Sequence, residues 1–120
     1  MTNLFVLVEL WEGKMEKGKY ICPVCGFNGI DEPPYDEDLM ASYKNCPCCG
    51  VEFGYDDFKL DNVTFVVARE KWLKSGAQWA QKNEKPSDWN LEEQLKNVDA
   101  LEIKQLEQQL QERHKKSKLN

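Results

Sequence analysis

A chain of 120 residues with a formal charge of −5 fits one modest domain, or a small domain with an appendage. The mean hydropathy of −0.69 and 31% charged side chains describe a soluble chain, and the acidic balance works against phosphate backbones and anionic membranes. Four Trp, four Tyr and five Phe supply bulky core material, which argues against disorder over most of the length.

Residues 1–18 read as an N-terminal extension. Their apolar run, Leu4–Val8, is too short to span a bilayer and lacks the basic flank and small-residue cleavage site of a signal peptide. A cytoplasmic location follows by default, where paired cysteines serve metals rather than disulfides. An odd count of five cysteines agrees. Trp11-Glu12-Gly13-Lys14-Met15 back-translates, with one codon choice at Glu12, to a GGAGG run shortly before an ATG. Met15 is therefore an alternative start, and the extension is either an edge strand, a disordered end or a product of an upstream start codon.

Residues 19–61 hold all the cysteines and most of the prolines. Tyr20-Ile-Cys-Pro-Val-Cys-Gly-Phe27 parallels Lys44-Asn-Cys-Pro-Cys-Cys-Gly-Val51, two Cys-Pro-x-Cys-Gly knuckles. Two intervening residues form a tight turn that aims both sulfurs at one point. Proline presets one backbone angle, and glycine permits a positive φ, so that backbone N–H groups approach the sulfurs. Twenty residues separate the pairs, a spacing that suits a zinc ribbon. Cys22, Cys25, Cys46 and Cys49 are thus the expected ligands of one structural Zn²⁺, with iron as the alternative that S₄ geometry does not separate. Cys48 stands where Val24 stands in the first knuckle, so it is the spare: a small packed side chain, or a redox-sensing thiol. The acidic loop Asp31–Asp38 contains Pro33-Pro34, which favours extended backbone.

Residues 62–98 read as a helical part packed on the ribbon. Phe65, Ala68, Trp72, Leu73 and Trp79 predict an amphipathic helix over 62–79, capped by Asp61 or Asn62 and ended by Gly76. After a polar linker with Pro86, Asn90-Leu-Glu-Glu93 resembles a capping box. Helical spacing over 91–116 follows, as one bent helix or as two with Asp99 capping the restart. Leu91, Leu95 and Val98 are expected to pack on the domain. Ile103, Leu106 and Leu110, in the C-terminal helix and tail 99–120, either fold back or pair weakly with a second copy. Arg113, Lys115, Lys116 and Lys118 suit a helix C-terminus, and His114 is a solvated tail residue.

The expected fold class is thus small α+β: a zinc ribbon of short strands and two knuckles, followed by amphipathic helices. Four thiolates fill a coordination sphere in which catalytic zinc would keep one position open, so no catalytic residue and no enzyme is expected. The knuckles, Glu32-Pro-Pro-Tyr35, Phe53-Gly-Tyr-Asp-Asp57, Trp72…Gly76-Ala-Gln-Trp79 and Trp89-Asn-Leu-Glu-Glu-Gln-Leu95 resemble a family of small bacterial proteins related to the cysteine-rich CPCC domain. The likeness spans about residues 19–98 and implies metal binding without a defined activity. The knuckles also resemble those of rubredoxin, which implies one iron and single-electron transfer. In rubredoxin, however, the cysteine pairs lie farther apart and no helical half follows. Residues 19–61 carry nine acidic residues against three lysines, a charge that disfavours nucleic acid and suits either a basic protein partner or a merely solvated face.

Overall fold

The computed structural model describes residues 18–59 and 62–119. Expectations for residues 1–17 and for Asp61 as a cap lie outside these. The two knuckles repeat one hydrogen-bond pattern. Cys22 N–H donates to Phe27 O (2.8 Å) and Gly26 N–H to Cys22 O (2.9 Å). At the equivalent positions Cys46 N–H donates to Val51 O and Gly50 N–H to Cys46 O, each at 2.9 Å. Gly26 and Gly50 take φ of +87° and +81°, the left-handed geometry their place in the motif requires.

The short strands expected around the knuckles are reduced to isolated antiparallel bridges, Tyr20 with Ile30 and Asn45 with Glu52. A third bridge, Tyr35 with Ala41, closes the acidic loop. The prolines at 23, 33, 34 and 47 lack the N–H a longer ladder would need. Among the described residues the named strands are β1 (Phe58–Lys59) and β2 (Asn62–Val63), a two-residue antiparallel pair.

Helix α1 spans Phe65–Lys74, shorter than the 62–79 expected. Its N-cap is Thr64 rather than Asn62, because β2 takes Asn62 into the hairpin. Its end is a Schellman turn: Ala77 N–H reaches Trp72 O (2.9 Å), Gly76 N–H reaches Leu73 O (3.1 Å), and Gly76 sits at φ +98°. The chain then leaves the helix and returns Trp79 to the core. A 3₁₀ turn, Lys82–Glu84, precedes α2 (Leu91–Leu95), whose cap is Asn90 Oδ1 accepting from Glu93 N–H at 3.0 Å. A second 3₁₀ turn, Lys96–Asp99, leads to α3 (Leu101–Leu119). The segment is therefore two helices. The restart is made by Ala100, extended at ψ 144°, whose carbonyl accepts from Ile103 and Lys104 N–H. Asp99 lies one residue earlier and forms an ion pair with Lys104 instead of capping. No helix among the described residues is long and apolar enough to cross a membrane.

One core runs through both halves, from the cysteines and Phe53 through Phe65, Trp72 and Trp79 to Leu110. Trp72, Trp89, Trp79 and Phe27 meet in a chain of edge-to-face contacts, with centroids 5.3–6.5 Å apart. Ile103 and Leu110 are buried and Leu106 half-buried, so the distal stripe folds back onto the same chain, while Leu101 stays exposed. Arg113 fastens the far end by donating to Asp38 O (2.8 Å) and Leu39 O (3.2 Å). At the centre of the loops, Asp57 is fully buried. It accepts from Tyr35 Oη–H (2.6 Å) and Gly54 N–H (2.7 Å). Burial pushes the Asp57 carboxyl up from its ordinary value, and burial raises the Tyr35 hydroxyl as well.

Trp72→Ala should cost about 3–5 kcal/mol in urea unfolding, the range for truncating a buried large aromatic. In the native chain iodide should leave the Trp72 and Trp79 emission largely unquenched. Ready quenching of both would show that they do not form the core.

Candidate metal centre

The knuckles bring Cys22, Cys25, Cys46 and Cys49 together so that the four Sγ atoms all lie within 4.8 Å of one another. Cys22 and Cys49 Sγ are 3.9 Å apart, and Cys25 and Cys46 Sγ 3.7 Å. Four thiolates about 2.3 Å from one tetrahedral ion are separated by about 3.8 Å, so the spacing fits a bound metal. It is far too long for disulfide bonds, about 2.05 Å. The expected ligands are thus the residues that converge. Cys48 is not among them. Its side chain is fully buried and receives a contact from Gln94 Nε2 at 3.4 Å, the surroundings of a packed residue rather than of an accessible thiol.

Burial pushes the Cys22 and Cys25 thiols well above their ordinary value, whereas hydrogen bonds from Cys22, Cys25 and Cys49 hold Cys46 far below it. Such a cluster cannot carry four negative sulfurs in a dry interior unless a metal ion compensates them. Cys22, Cys25 and Cys46 are completely buried, and Cys49 is the partly open corner.

Within each knuckle the first cysteine's carbonyl is met by the glycine N–H, but the carbonyls that follow it have no partner inside the turn and need donors. The second half of the chain provides most of them. In the first knuckle, Arg69 of α1 donates through Nε to Val24 O (2.6 Å) and through Nη2 to Pro23 O (2.9 Å). Gln94 of α2 donates to Cys25 O (3.1 Å), its own Oε1 being held by Trp89 Nε1–H (2.7 Å). Asn97 donates to Gly26 O at 2.9 Å. In the second knuckle Gln81 N–H donates to Pro47 O and Ala80 N–H to Cys48 O, both 2.9 Å, and Asn45 Nδ2 donates to Gly50 O at 3.2 Å.

Gly26 meets a further demand here. A Cβ at this position would stand 2.2 Å from Gln94 O, so the glycine is fixed by tertiary contact as well as by φ. Sequence reasoning missed Arg69, Gln94 and Asn97. A signal existed for Gln94, a polar residue beside the apolar positions Leu91 and Leu95. The backbone donors of Ala80 and Gln81 leave no trace in residue type.

These features define a small protein built around a closed four-thiol site able to hold a metal ion. The chain belongs to the same family as the uncharacterised protein YoaQ of Bacillus subtilis (strain 168), with 33% identity over 104 residues, 76% of this chain and 83% of YoaQ. It is also similar to the uncharacterised protein YozI of the same organism, 28% identical over 105 residues, 76% of this chain and 82% of YozI. No family model matches the chain, so the likeness to CPCC-domain proteins rests on the motifs alone. No solved structure matches it.

Cys22→Ser and Cys49→Ser should lose the metal and unfold the knuckles, whereas Cys48→Ser should keep full metal content. Equal loss in all three, measured by inductively coupled plasma mass spectrometry, would overturn the ligand set. Arg69→Met removes charge-assisted donors from two carbonyls and should cost about 1.5–3 kcal/mol in chemical unfolding, with the metal retained.

Proposed function

We propose that the chain is a non-enzymatic module folded around one structural Zn²⁺, acting by binding another protein. The observation that carries this reading is the closed shell: four sulfurs converge within 4.8 Å and leave no donor position for water or substrate. The Cys₄ set is filled by thiolates, and three of the four are fully buried. Zinc bound there supplies no redox chemistry. It crosslinks the two knuckles, and binding free energies of roughly 10–16 kcal/mol are large enough to decide whether so small a domain folds. Four thiolates and Zn²⁺ leave a net charge of −2, which the Arg69 guanidinium on the first knuckle partly offsets.

In this reading the paired knuckles are a zinc ribbon with its strands cut to single bridges, and the CPCC likeness is one of descent. The same donors would bind iron as in rubredoxin. Zinc is the reading taken because rubredoxin's cysteine pairs lie farther apart and no helical half follows them, although Cys49 is a partly open corner here. A cytoplasmic setting goes with the proposal, since four free thiols require a reducing environment. The acidic excess over 19–61 supports a basic protein partner over nucleic acid.

The purified native chain should contain one zinc per molecule and be colourless. A red protein with the visible absorption of ferric thiolate would replace zinc by iron and the module by an electron carrier. Native pull-down from the source cell should recover a protein, and recovery that disappears after nuclease treatment would point to nucleic acid instead.

A further inference from the structure

An apolar groove on the surface lies away from the metal-site cysteines. A groove of about 370 Å³ runs between the Pro33–Pro34 loop and the outer face of α3. Ile21, Pro33, Ile103 and Leu106 make its apolar walls. Asp36, Glu37 and Glu102 stand at its edges, and no lysine or arginine is among the described residues lining it. Tyr20, 37% exposed, adds an aromatic face at one end. On α3 the contributing positions Glu102, Gln105, Leu106 and Gln109 recur at helical spacing, so one helix face forms a continuous wall.

The opposite wall is held in place. Asp36 Oδ1 accepts from Asp38 and Met40 N–H, both at 2.9 Å. Ser42 N–H donates to Pro34 O at 2.9 Å, and the Tyr35–Ala41 bridge closes the loop. Leu39 is kept at φ +63°, a conformation that costs a leucine energy, with Arg113 of α3 bound to its carbonyl. A groove fixed from both sides binds without an ordering cost.

We propose that this groove is the docking site for a segment of another protein that carries lysine or arginine beside large apolar side chains. This rests on the reading of the chain as an interaction module and names the surface and the partner's chemistry. Apolar side chains of the segment fill the groove, its cations meet Glu37, Asp36 and Glu102, and one cation lies over the Tyr20 ring. Charge favours another protein over the chain's own N-terminal run, since residues 1–17 carry Glu9, Glu12 and Glu16 against Lys14 and Lys17 and their side chains sum to −1.

The test uses the full metal-loaded chain and fluorescence polarisation with three labelled decapeptides: alternating Leu and Lys, alternating Leu and Glu, and alternating Ser and Lys. The Leu–Lys peptide should bind, the Leu–Glu peptide should not, and the Ser–Lys peptide should bind roughly tenfold more weakly, since leucines gain from burial. Glu37→Gln with Glu102→Gln should weaken Leu–Lys binding roughly fivefold, the scale of an exposed and a half-buried carboxylate that together attract the peptide's cations. Glu84→Gln with Glu92→Gln removes the same charge elsewhere and should leave binding unchanged. Equal weakening by both pairs would show general charge attraction and overturn the groove. Binding that emerges only after residues 1–14 are deleted would assign the groove to the chain itself. Sedimentation showing dimers that the Glu37 and Glu102 substitutions disrupt would assign it to a second copy. Metal content measured on every variant keeps this apart from the zinc reading: zinc-loaded chains that bind no peptide overturn the groove alone.

Discussion

Everything in this structure follows from gathering four thiols at one buried point. Each knuckle is closed by its glycine N–H bonding back to the first cysteine's carbonyl, and the carbonyls that follow it are left with no partner inside the turn. A bare pair of knuckles in water could leave those carbonyls to solvent. Here, apart from Gly50 O, which accepts from nearby Asn45, the donors come from far along the chain: Arg69, Gln94, Asn97 and the amides of Ala80 and Gln81. The helical half is therefore the hydrogen-bonding complement of the metal half. The four-cysteine site and the docked helices are thus held by one set of hydrogen bonds.

Gln94 joins the two most closely. Its amide bonds the Cys25 carbonyl, touches the Cys48 sulfur and is itself oriented by the Trp89 indole. Trp89 in turn lies against both Trp72 and Trp79. A shift of α2 would thus be felt at the first knuckle through a hydrogen bond and at α1 through the aromatic chain. Gly26 permits this closeness, because any side chain there would strike the Gln94 carbonyl. Interiors packed at crystal density transmit displacement in this way.

At the other end of the molecule, α3 serves two surfaces. Its inner stripe, Ile103 and Leu110, completes the core, and the face beside it walls the acidic groove. Arg113 ties the helix to the Asp38–Leu39 carbonyls, so the groove is assembled from segments some 75 residues apart. The negative charge of the loops, which burial of the four thiolates would only deepen, is left facing outward.

The four cysteines that converge were legible in the sequence because a knuckle is local: Cys-Pro-x-Cys-Gly contains the turn, both sulfurs and the glycine conformation within five positions. The Asn90 cap, the Gly76 stop and the burial of Phe65, Trp72 and Trp79 were legible for the same reason, since capping and helical periodicity act over one or two turns. Strand length, the start of α1 at Thr64 and the break at Ala100 were decided by tertiary pairing. The β1–β2 hairpin claimed Asn62, and the docking of Val98 and Ile103 set the bend between the last two helices. The partners of the knuckle carbonyls were also beyond sequence reading. Arg69 and Asn97 look like surface residues on their helices, and the amides of Ala80 and Gln81 are common to every residue type. Only the fold, by bringing a donor to each buried acceptor, gives them a role.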